Sequence, residues 1–323
     1  MVGIAIIGAG RMGKTHSKAV KTLPNAKLTG IYDLSATTAK ALAEARGTNV
    51  YVSLEDIAAD AGVDGVVMCH PTHAHYPLLK QFLPTGKYIL GEKPMVRHRE
   101  EAELLRNMVN ADKRLAFGFM RRKNPAYIRI KEMIDDGTLG TVRMVKVGCC
   151  VAGYSRQWDD FFADFALCGG VALDMLSHHV NMLNWYFGPP KTVTAASLMF
   201  DRPMELPIDY VSSTFVYPDG VIANVEGSWQ RQGVGYERLE VYGDRATVLF
   251  EGSKLTLCTP GKAEDIPFES VSGYDKQMAD FVATIEAGGV PEIGIEDGYW
   301  AFRTADAMLQ AALSGGVVTI DPE

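Results

Sequence analysis

The chain has no apolar run approaching the roughly 18 residues that a membrane-spanning helix requires, no internal repeat and no low-complexity tract. It also lacks a stripe of lysine or arginine: charges of both signs are interspersed, and the formal net charge is -7. Nucleic acid and anionic membrane are therefore poor partners, because both demand a concentrated positive footprint. Cysteine is scarce. The five present (Cys69, Cys149, Cys150, Cys168 and Cys258) are odd in number and show no C-x-x-C or zinc-ligand spacing. That argues for free thiols in a reducing compartment and a cytoplasmic chain. The opening run Val2–Ala9 is apolar but short, glycine-containing and without a basic flank, so it reads as a buried strand and not as a signal peptide. What remains is the composition of a globular protein: 323 residues, 47% hydrophobic and 22% charged, enough for two domains with sizeable cores.

Two textures divide the sequence. Up to about residue 120, apolar β-rich runs (Ile4–Ile7, Leu28–Tyr32, Gly65–Cys69, Tyr88–Leu90, Leu115–Phe117) alternate with helical patterns at Met12–Lys21, Ala36–Glu44, Leu54–Ala59, Tyr76–Leu83 and Arg99–Asn110. Near-continuous apolar strands separated by helices predict a parallel sheet covered on both faces. Beyond Arg121 a helix over Ala126–Ile134 ends at Asp136-Gly137, and a strand over Val142–Val147 follows. A further helix, Val171–Phe187, stops at Gly188-Pro189-Pro190. Tight-turn chemistry then joins Val211–Tyr217 to Val221–Gln230 through Pro218-Asp219-Gly220, and Leu239–Tyr242 to Ala246–Phe250 through Gly243-Asp244, with Leu255–Cys258 beyond. This predicts a largely antiparallel sheet. A last helix, Gly298–Leu313, carries the small residues Ala301, Ala305 and Ala312 on a face suited to close packing. The expected domains are 1–120 and 121–323, with the last helix available to pack back on the first.

The first strand runs into Gly8-Ala9-Gly10-Arg11-Met12-Gly13, a G-x-G-x-x-G that opens a helix, and Asp33 follows about twenty residues beyond Gly13 at the end of the second strand. Gly8 permits the tight turn, Gly10 lets backbone approach a pyrophosphate, and Gly13 allows helix and strand to pack closely. The N–H groups of the helix start, including those of Arg11 and Met12, are aimed at phosphates. This is the fingerprint of a dinucleotide-binding Rossmann domain. Asp33 can accept hydrogen bonds from both ribose hydroxyls, whereas a 2′-phosphate at about 4 Å would cost up to about 4 kcal/mol at an effective dielectric of about 20. Leu34 and Ser35 supply no compensating cation, so NAD is expected over NADP. Arg11 could soften that preference by turning toward the ribose.

Three clusters bear chemistry. The third strand leads into His70-Pro71-Thr72-His73-Ala74-His75, at the edge of an open α/β sheet where ligands bind. An extended loop scatters these histidines and no carboxylate accompanies them, so they are read as pocket lining and no metal is expected. The strand Tyr88–Leu90 ends in Gly91-Glu92-Lys93-Pro94, where the proline imposes an extended backbone on Lys93, with a cis bond as one option, and aims its ammonium into the crevice. In the helix after Gly169-Gly170, Asp174 and His178 lie four apart on one face, continued by Asn181 and Trp185. A polar stripe among Val, Leu and Met needs partners or a ligand; a satisfied core Asp–His pair is the bland alternative.

Together these motifs resemble the Gfo/Idh/MocA oxidoreductases, the glucose–fructose oxidoreductase and inositol dehydrogenase family. The resemblance runs in order through Gly8-x-Gly10-x-x-Gly13, Asp33, Pro71 to His75, Glu92-Lys93-Pro94, Gly118-Phe119-Met120-Arg121-Arg122 and Gly169-Gly170-(x)3-Asp174-(x)3-His178. It implies an α/β fold: an N-terminal Rossmann doubly wound parallel sheet plus a C-terminal α+β domain with a largely antiparallel open sheet. It further implies that Lys93 and His178 flank the substrate hydroxyl beside the nicotinamide. His178 is then the general base, Lys93 stabilises alkoxide character, and Asp174 orients the sugar and supports the protonated base. Gly8, Gly10, Arg11, Met12, Gly13, Asp33, Pro71, His75, Glu92 and Lys93 are expected to bind cofactor. Met120, Arg121 and Tyr236 are expected to contact substrate, with Gln157 and Asp160 as weaker candidates. Many members continue His-(x)2-Asp, whereas this chain reads His178-His179-Val180-Asn181, which weakens any transfer of inositol as substrate. The family's habit of pairing through its second sheet implies a homodimer or homotetramer.

The expected function is an NAD-dependent dehydrogenase that oxidises a secondary hydroxyl of a sugar or polyol to a ketone, or runs in reverse. Two rivals share the fold: an oxidoreductase that retains NAD and shuttles hydride between sugars, and an NAD-dependent glycoside hydrolase. A noncatalytic nucleotide sensor is a third reading, disfavoured because it has no use for Lys93, Asp174 and His178.

Overall fold

The computed structural model describes residues 1–109, 113–152, 161, 164–199, 209–231 and 233–320. The chain forms two compact units, Met1–Lys123 with Val271–Tyr299, and Asn124–Ser270 with Trp300–Glu323. In chain order the first unit contains β1 (Val2–Ile7), α1 (Arg11–Thr22), β2 (Ala26–Tyr32), α2 (Ala36–Arg46), β3 (Asn49–Val50) and α3 (Leu54–Ala59). It continues with β4 (Gly65–Met68), α4 (His75–Phe82), β5 (Tyr88–Gly91), α5 (Arg99–Val109) and β6 (Leu115–Phe117). The strands pair in parallel in the order β3-β2-β1-β4-β5-β6. Every residue of β1 and β4 is buried, as expected for strands covered on both faces. Local signals set the helix ends: Ser53 and Asp56 form a reciprocal capping box on α3, and Gly47 in the left-handed region terminates α2.

The second unit contains α6 (Pro125–Asp135), β7 (Val142–Ala152), α7 (Phe165–Cys168), α8 (Gly170–Leu173), α9 (Ser177–Phe187), β8 (Thr192–Leu198), β9 (Tyr210–Val216) and β10 (Ile222–Arg231). Then come β11 (Tyr236–Gly243), β12 (Thr247–Glu251), β13 (Lys254–Thr259) and β14 (Lys262–Asp265). Two further helices, α10 (Gly273–Glu286) and α11 (Ile295–Ser314), precede β15 (Val317–Thr319). The second sheet runs β14-β13-β12-β11-β7-β10-β9-β8-β15 and is antiparallel except for the pair β7–β10. Both expected hairpins form, β9–β10 and β11–β12. On β10, Ala223 and Val225 are fully buried, and a Cβ on Gly227 would sit 2.9 Å from Leu176, so this sheet face is the one packed under the helices.

The division of the chain differs from the expected one. The first unit extends to Lys123, and it is rejoined by Val271–Tyr299, so the returning helix is α10 and only the first turn of α11 goes with it. The physical reason is core completion. Met278, Phe281 and Val282 of α10 pack with Ile4, Ile6 and Leu28 of the parallel sheet, and a Cβ on Gly65 would lie 2.8 Å from Ile285. The charged and small residues between these apolar positions dilute their helical period in the sequence. Phe281 is 4% exposed, and Phe281→Ala is expected to remove about 3–5 kcal/mol of stability. Chemical denaturation monitored by circular dichroism checks this; an unchanged midpoint would separate α10 from the core.

Candidate active site

The glycine loop is built by close approach. Gly8 has φ of 103°, a left-handed conformation, and a Cβ there would lie 2.7 Å from the carbonyl oxygen of Cys69. A Cβ on Gly13 would fall 1.9 Å from the Gly8 carbonyl oxygen, so α1 presses directly on the β1 turn. Gly10 is the opposite case: a Cβ there meets nothing within 4 Å, which leaves open backbone at the helix start. No side chain caps α1 and no acidic residue occupies its first turn, so its N–H donors face an anion site. Asp33 is gripped from two sides, with Ala9 N–H donating to Oδ2 (2.7 Å) and Ser35 N–H to Oδ1 (2.9 Å). Its remaining lone pairs suit the two ribose hydroxyls, and Leu34 beside it is 94% exposed. These residues fit a dinucleotide.

The carboxyl edge of the same sheet carries the histidine segment and Lys93. Lys93–Pro94 is cis. His75 is buried, with Nδ1 2.8 Å from the Pro94 carbonyl oxygen and Nε2 3.0 Å from that of His70. Burial keeps this imidazole below its ordinary pKa, so a single N–H donates to one carbonyl at a time. His70 meets His75 edge to face at 5.2 Å, and burial followed by the charge of His75 pushes it down to about 3. Pro71 and His73 are exposed at this edge. Among the described residues, no group of three His, Cys, Asp or Glu side chains is arranged to hold a metal ion.

Glu92, expected on the cofactor side, turns inward. Its carboxylate is buried, Oε1 lies 2.6 Å from Nε2 of His16, and Oε2 accepts the Lys93 backbone N–H at 3.3 Å. A Cβ on Gly118 would lie 3.1 Å from Oε2, which explains a glycine at that point. Burial alone would raise the carboxyl pKa, but contact with His16 and the charge of Lys93 bring it below the ordinary carboxylate value. His16 in turn meets Tyr274 edge to face at 5.8 Å. Burial, then the Glu92 charge, raise the Tyr274 hydroxyl, while Arg11 and Arg121 act the other way. Met120 and Arg121 lie in a 3-10 turn, Met120–Lys123. That turn is anchored by Arg122 paired with Asp297 and by Lys123 paired with Asp280 and Glu292, each at 2.6 Å.

In the second unit, the expected single helix is interrupted. α8 stops at Leu173, Asp174 to Leu176 form a turn, and α9 begins at Ser177. Gly169 and Gly170 both have positive φ, 77° and 72°, two successive left-handed residues that few side chains tolerate. His178 is 9% exposed, Asp174 is partly exposed, and Asn181 is buried. His179 is fixed separately: its Nε2 lies 3.2 Å from Glu237 Oε1, and the same carboxylate accepts the Tyr127 hydroxyl. Tyr236, one residue earlier on β11, lies on the other face of the sheet. It pairs with Cys150, approaches Glu226 at 3.4 Å, and its ring fills the space a Gly148 side chain would take. The structure therefore does not bring Tyr236 to the face on which Leu176 packs. Gln157 and Asp160 lie outside the described residues.

Sequence reasoning missed His16, Tyr274 and the group Tyr127, His179 and Glu237. A signal existed for His16, since it falls on the buried stripe of α1 with Gly13, Ser17, Ala19 and Val20. A separate cavity of about 720 Å³ opens at the amino ends of β4 and β5. Two of its cations are committed to backbone carbonyls, Lys87 to Asp60 and Val63 and Arg114 to Gly86, and no ligand is assigned there. No helix among the described residues is long and apolar enough to cross a membrane.

The chain matches the model of the oxidoreductase family with an NAD-binding Rossmann fold over residues 2–119, and the Gfo/Idh/MocA C-terminal domain over residues 127–249. It is 30% identical over 335 residues to inositol 2-dehydrogenase of Rhizobium meliloti, covering 99% of each chain. The structure of GenD2 from gentamicin A biosynthesis, in complex with NAD, aligns with a TM-score of 0.88 at 25% identity, over 99% of this chain and 96% of that one. Levoglucosan dehydrogenase in complex with NADH and levoglucosan has the same fold, with a TM-score of 0.90 at 20% identity and full coverage of both chains. Fold and glycine loop thus define an NAD-binding oxidoreductase. The chain belongs to the Gfo/Idh/MocA family.

The Asp33 carboxylate has lone pairs that suit the ribose hydroxyls and a charge that opposes a 2′-phosphate. Asp33→Ala is expected to raise NADPH affinity relative to NADH by about tenfold or more, somewhat less than the full Coulomb estimate because of solvent screening. Fluorescence titration with the two reduced cofactors checks it, and an unchanged ratio would show that the ribose is read elsewhere.

Proposed function

We propose that this chain is an NAD-dependent dehydrogenase that oxidises a secondary hydroxyl of a sugar or polyol, an inositol or a monosaccharide, to a ketone. The observation that carries the reading is Lys93, which follows β5 at the carboxyl edge of the dinucleotide-binding sheet with its backbone N–H held by the buried Glu92. The 30% identity to an inositol 2-dehydrogenase supports the substrate class, while Asn181 in place of the family's acidic residue leaves the particular polyol open.

When bound, NAD supplies the two-electron acceptor for the hydrogen leaving carbon. The chain's own residues handle the oxygen and its proton. Lys93 donates a hydrogen bond to the reacting oxygen and stabilises the negative charge that grows there as the O–H bond breaks. His178 takes the hydroxyl proton, a task suited to imidazole near neutrality, and passes it to solvent. Asp174 orients the substrate and steadies the protonated imidazole. Met120 and Arg121 contact the remaining hydroxyls; Tyr236 has no part in this assignment because of the sheet face it occupies. Copies of the chain associate through the open face of the second sheet, where Ile222 is 42% and Leu198 48% exposed.

The test is a panel of monosaccharides, inositols and sugar acids assayed for NADH formation. At least one is expected to give steady net NADH. Release of free sugar from a glycoside without net NADH would replace the dehydrogenase by a hydrolase. On the active substrate, Lys93→Met is expected to lower kcat by about a hundredfold or more with NADH affinity nearly intact. Near-normal turnover would remove the lysine from the mechanism.

A further inference from the structure

The histidine at position 16 has no task in the reading above, yet its surroundings are specific. His16 is fully buried on α1, one turn past Gly13. Its Nε2 contacts Glu92 Oε1 at 2.6 Å, and its Nδ1 has no hydrogen-bonding partner among the described residues. The other oxygen of Glu92 accepts the backbone N–H of Lys93 at 3.3 Å, and Gly118 closes over the carboxylate. We propose that His16 is a positioning residue for Lys93, acting through the buried carboxylate of Glu92.

The argument is one of satisfaction. An ionised carboxylate only accepts, and once buried it stays ionised only while donors reach it. His16 is the only side-chain hydrogen-bond donor to Glu92 among the described residues; the second donor is a backbone N–H. The remaining titratable groups around the pair are Arg11 on α1, Cys69 and His75 after β4, Arg121 after β6, and Tyr274 on α10. None of these five hydrogen-bonds Glu92. Without His16, burial drives Glu92 to take up a proton, because the desolvated charge is then under-paired. A neutral Glu92 no longer sets a negative charge against the Lys93 ammonium and holds the Lys93 backbone N–H less firmly. In turnover, which rests on the dehydrogenase reading, the alkaline limb of kcat/KM then moves to lower pH.

The experiment measures Lys93 directly. The full-length protein is labelled with acetic anhydride across a pH series, and acetylation of the Lys93 peptide is quantified by mass spectrometry. In His16→Ala the labelling midpoint is expected to fall by about half a pH unit or more. In His16→Gln, whose amide N–H still reaches a carboxylate, it is expected to stay near the wild-type value. NADH affinity is expected to change little in either variant, as a check on folding. An unchanged midpoint in a folded His16→Ala overturns the proposal, as does an equal fall in both variants, which would trace the effect to ring packing on Tyr274. If His16→Ala fails to fold, Glu92→Gln removes the charge at nearly constant shape and is expected to lower the midpoint likewise; no fall overturns the proposal. A shifted midpoint in a protein that oxidises nothing in the panel would sink the dehydrogenase reading and leave this one standing.

Discussion

The contact between Gly13 and the carbonyl of Gly8 is the constraint on which the first unit's chemistry depends. Helix α1 can begin where it does only because no side chain intervenes at 1.9 Å. That placement aims unpaired N–H groups at the open space beside Gly10 and carries His16 inward against Glu92. Asp33 closes the arrangement from the other side by holding Ala9 N–H. A turn, a helix start, the Asp33 carboxylate and the buried Glu92 are therefore set by one close approach, and a methyl group at position 13 would disturb all of them together.

The second unit solves a different problem. On the helix that carries His178, the neighbouring His179 is tied to the sheet. The His179–Glu237–Tyr127 group does the anchoring, with a further tie from Asn184 to the carbonyl of Trp300 and the hydroxyl of Thr304. Successive residues on a helix point about 100° apart, so fixing His179 against β11 also fixes the direction in which His178 leaves the backbone. The Glu237 carboxylate thus meets both a phenol and an imidazole at one oxygen.

Much of this was legible in the residues. Continuous apolar strands, the spaced glycines and Asp33 foretold the parallel sheet and its cofactor, and Pro-Asp-Gly and Gly-Asp foretold the hairpins. Gly91-Glu92-Lys93-Pro94 marked the carboxyl end of β5. What stayed hidden depended on tertiary contacts. The inward turn of Glu92 needs His16, 76 residues away in the chain, and no local pattern announces that meeting. Tyr236 and Glu237 differ by one position, and the strand register alone decides which faces the helices. The break between α8 and α9 is likewise invisible to periodicity, since Asp174 and His178 sit four apart whether or not the helix is continuous.

The way the first unit is assembled has a consequence for biogenesis. Its sheet is finished early in synthesis, but the apolar surface over Ile4 and Gly65 waits for Phe281, Val282 and Ile285. On the ribosome, β14 has already emerged before that surface can be sheltered. A nascent chain thus spends the synthesis of eight of the second sheet's nine strands with an oily flank uncovered, a window in which chaperone engagement or premature self-association competes with completion of the domain.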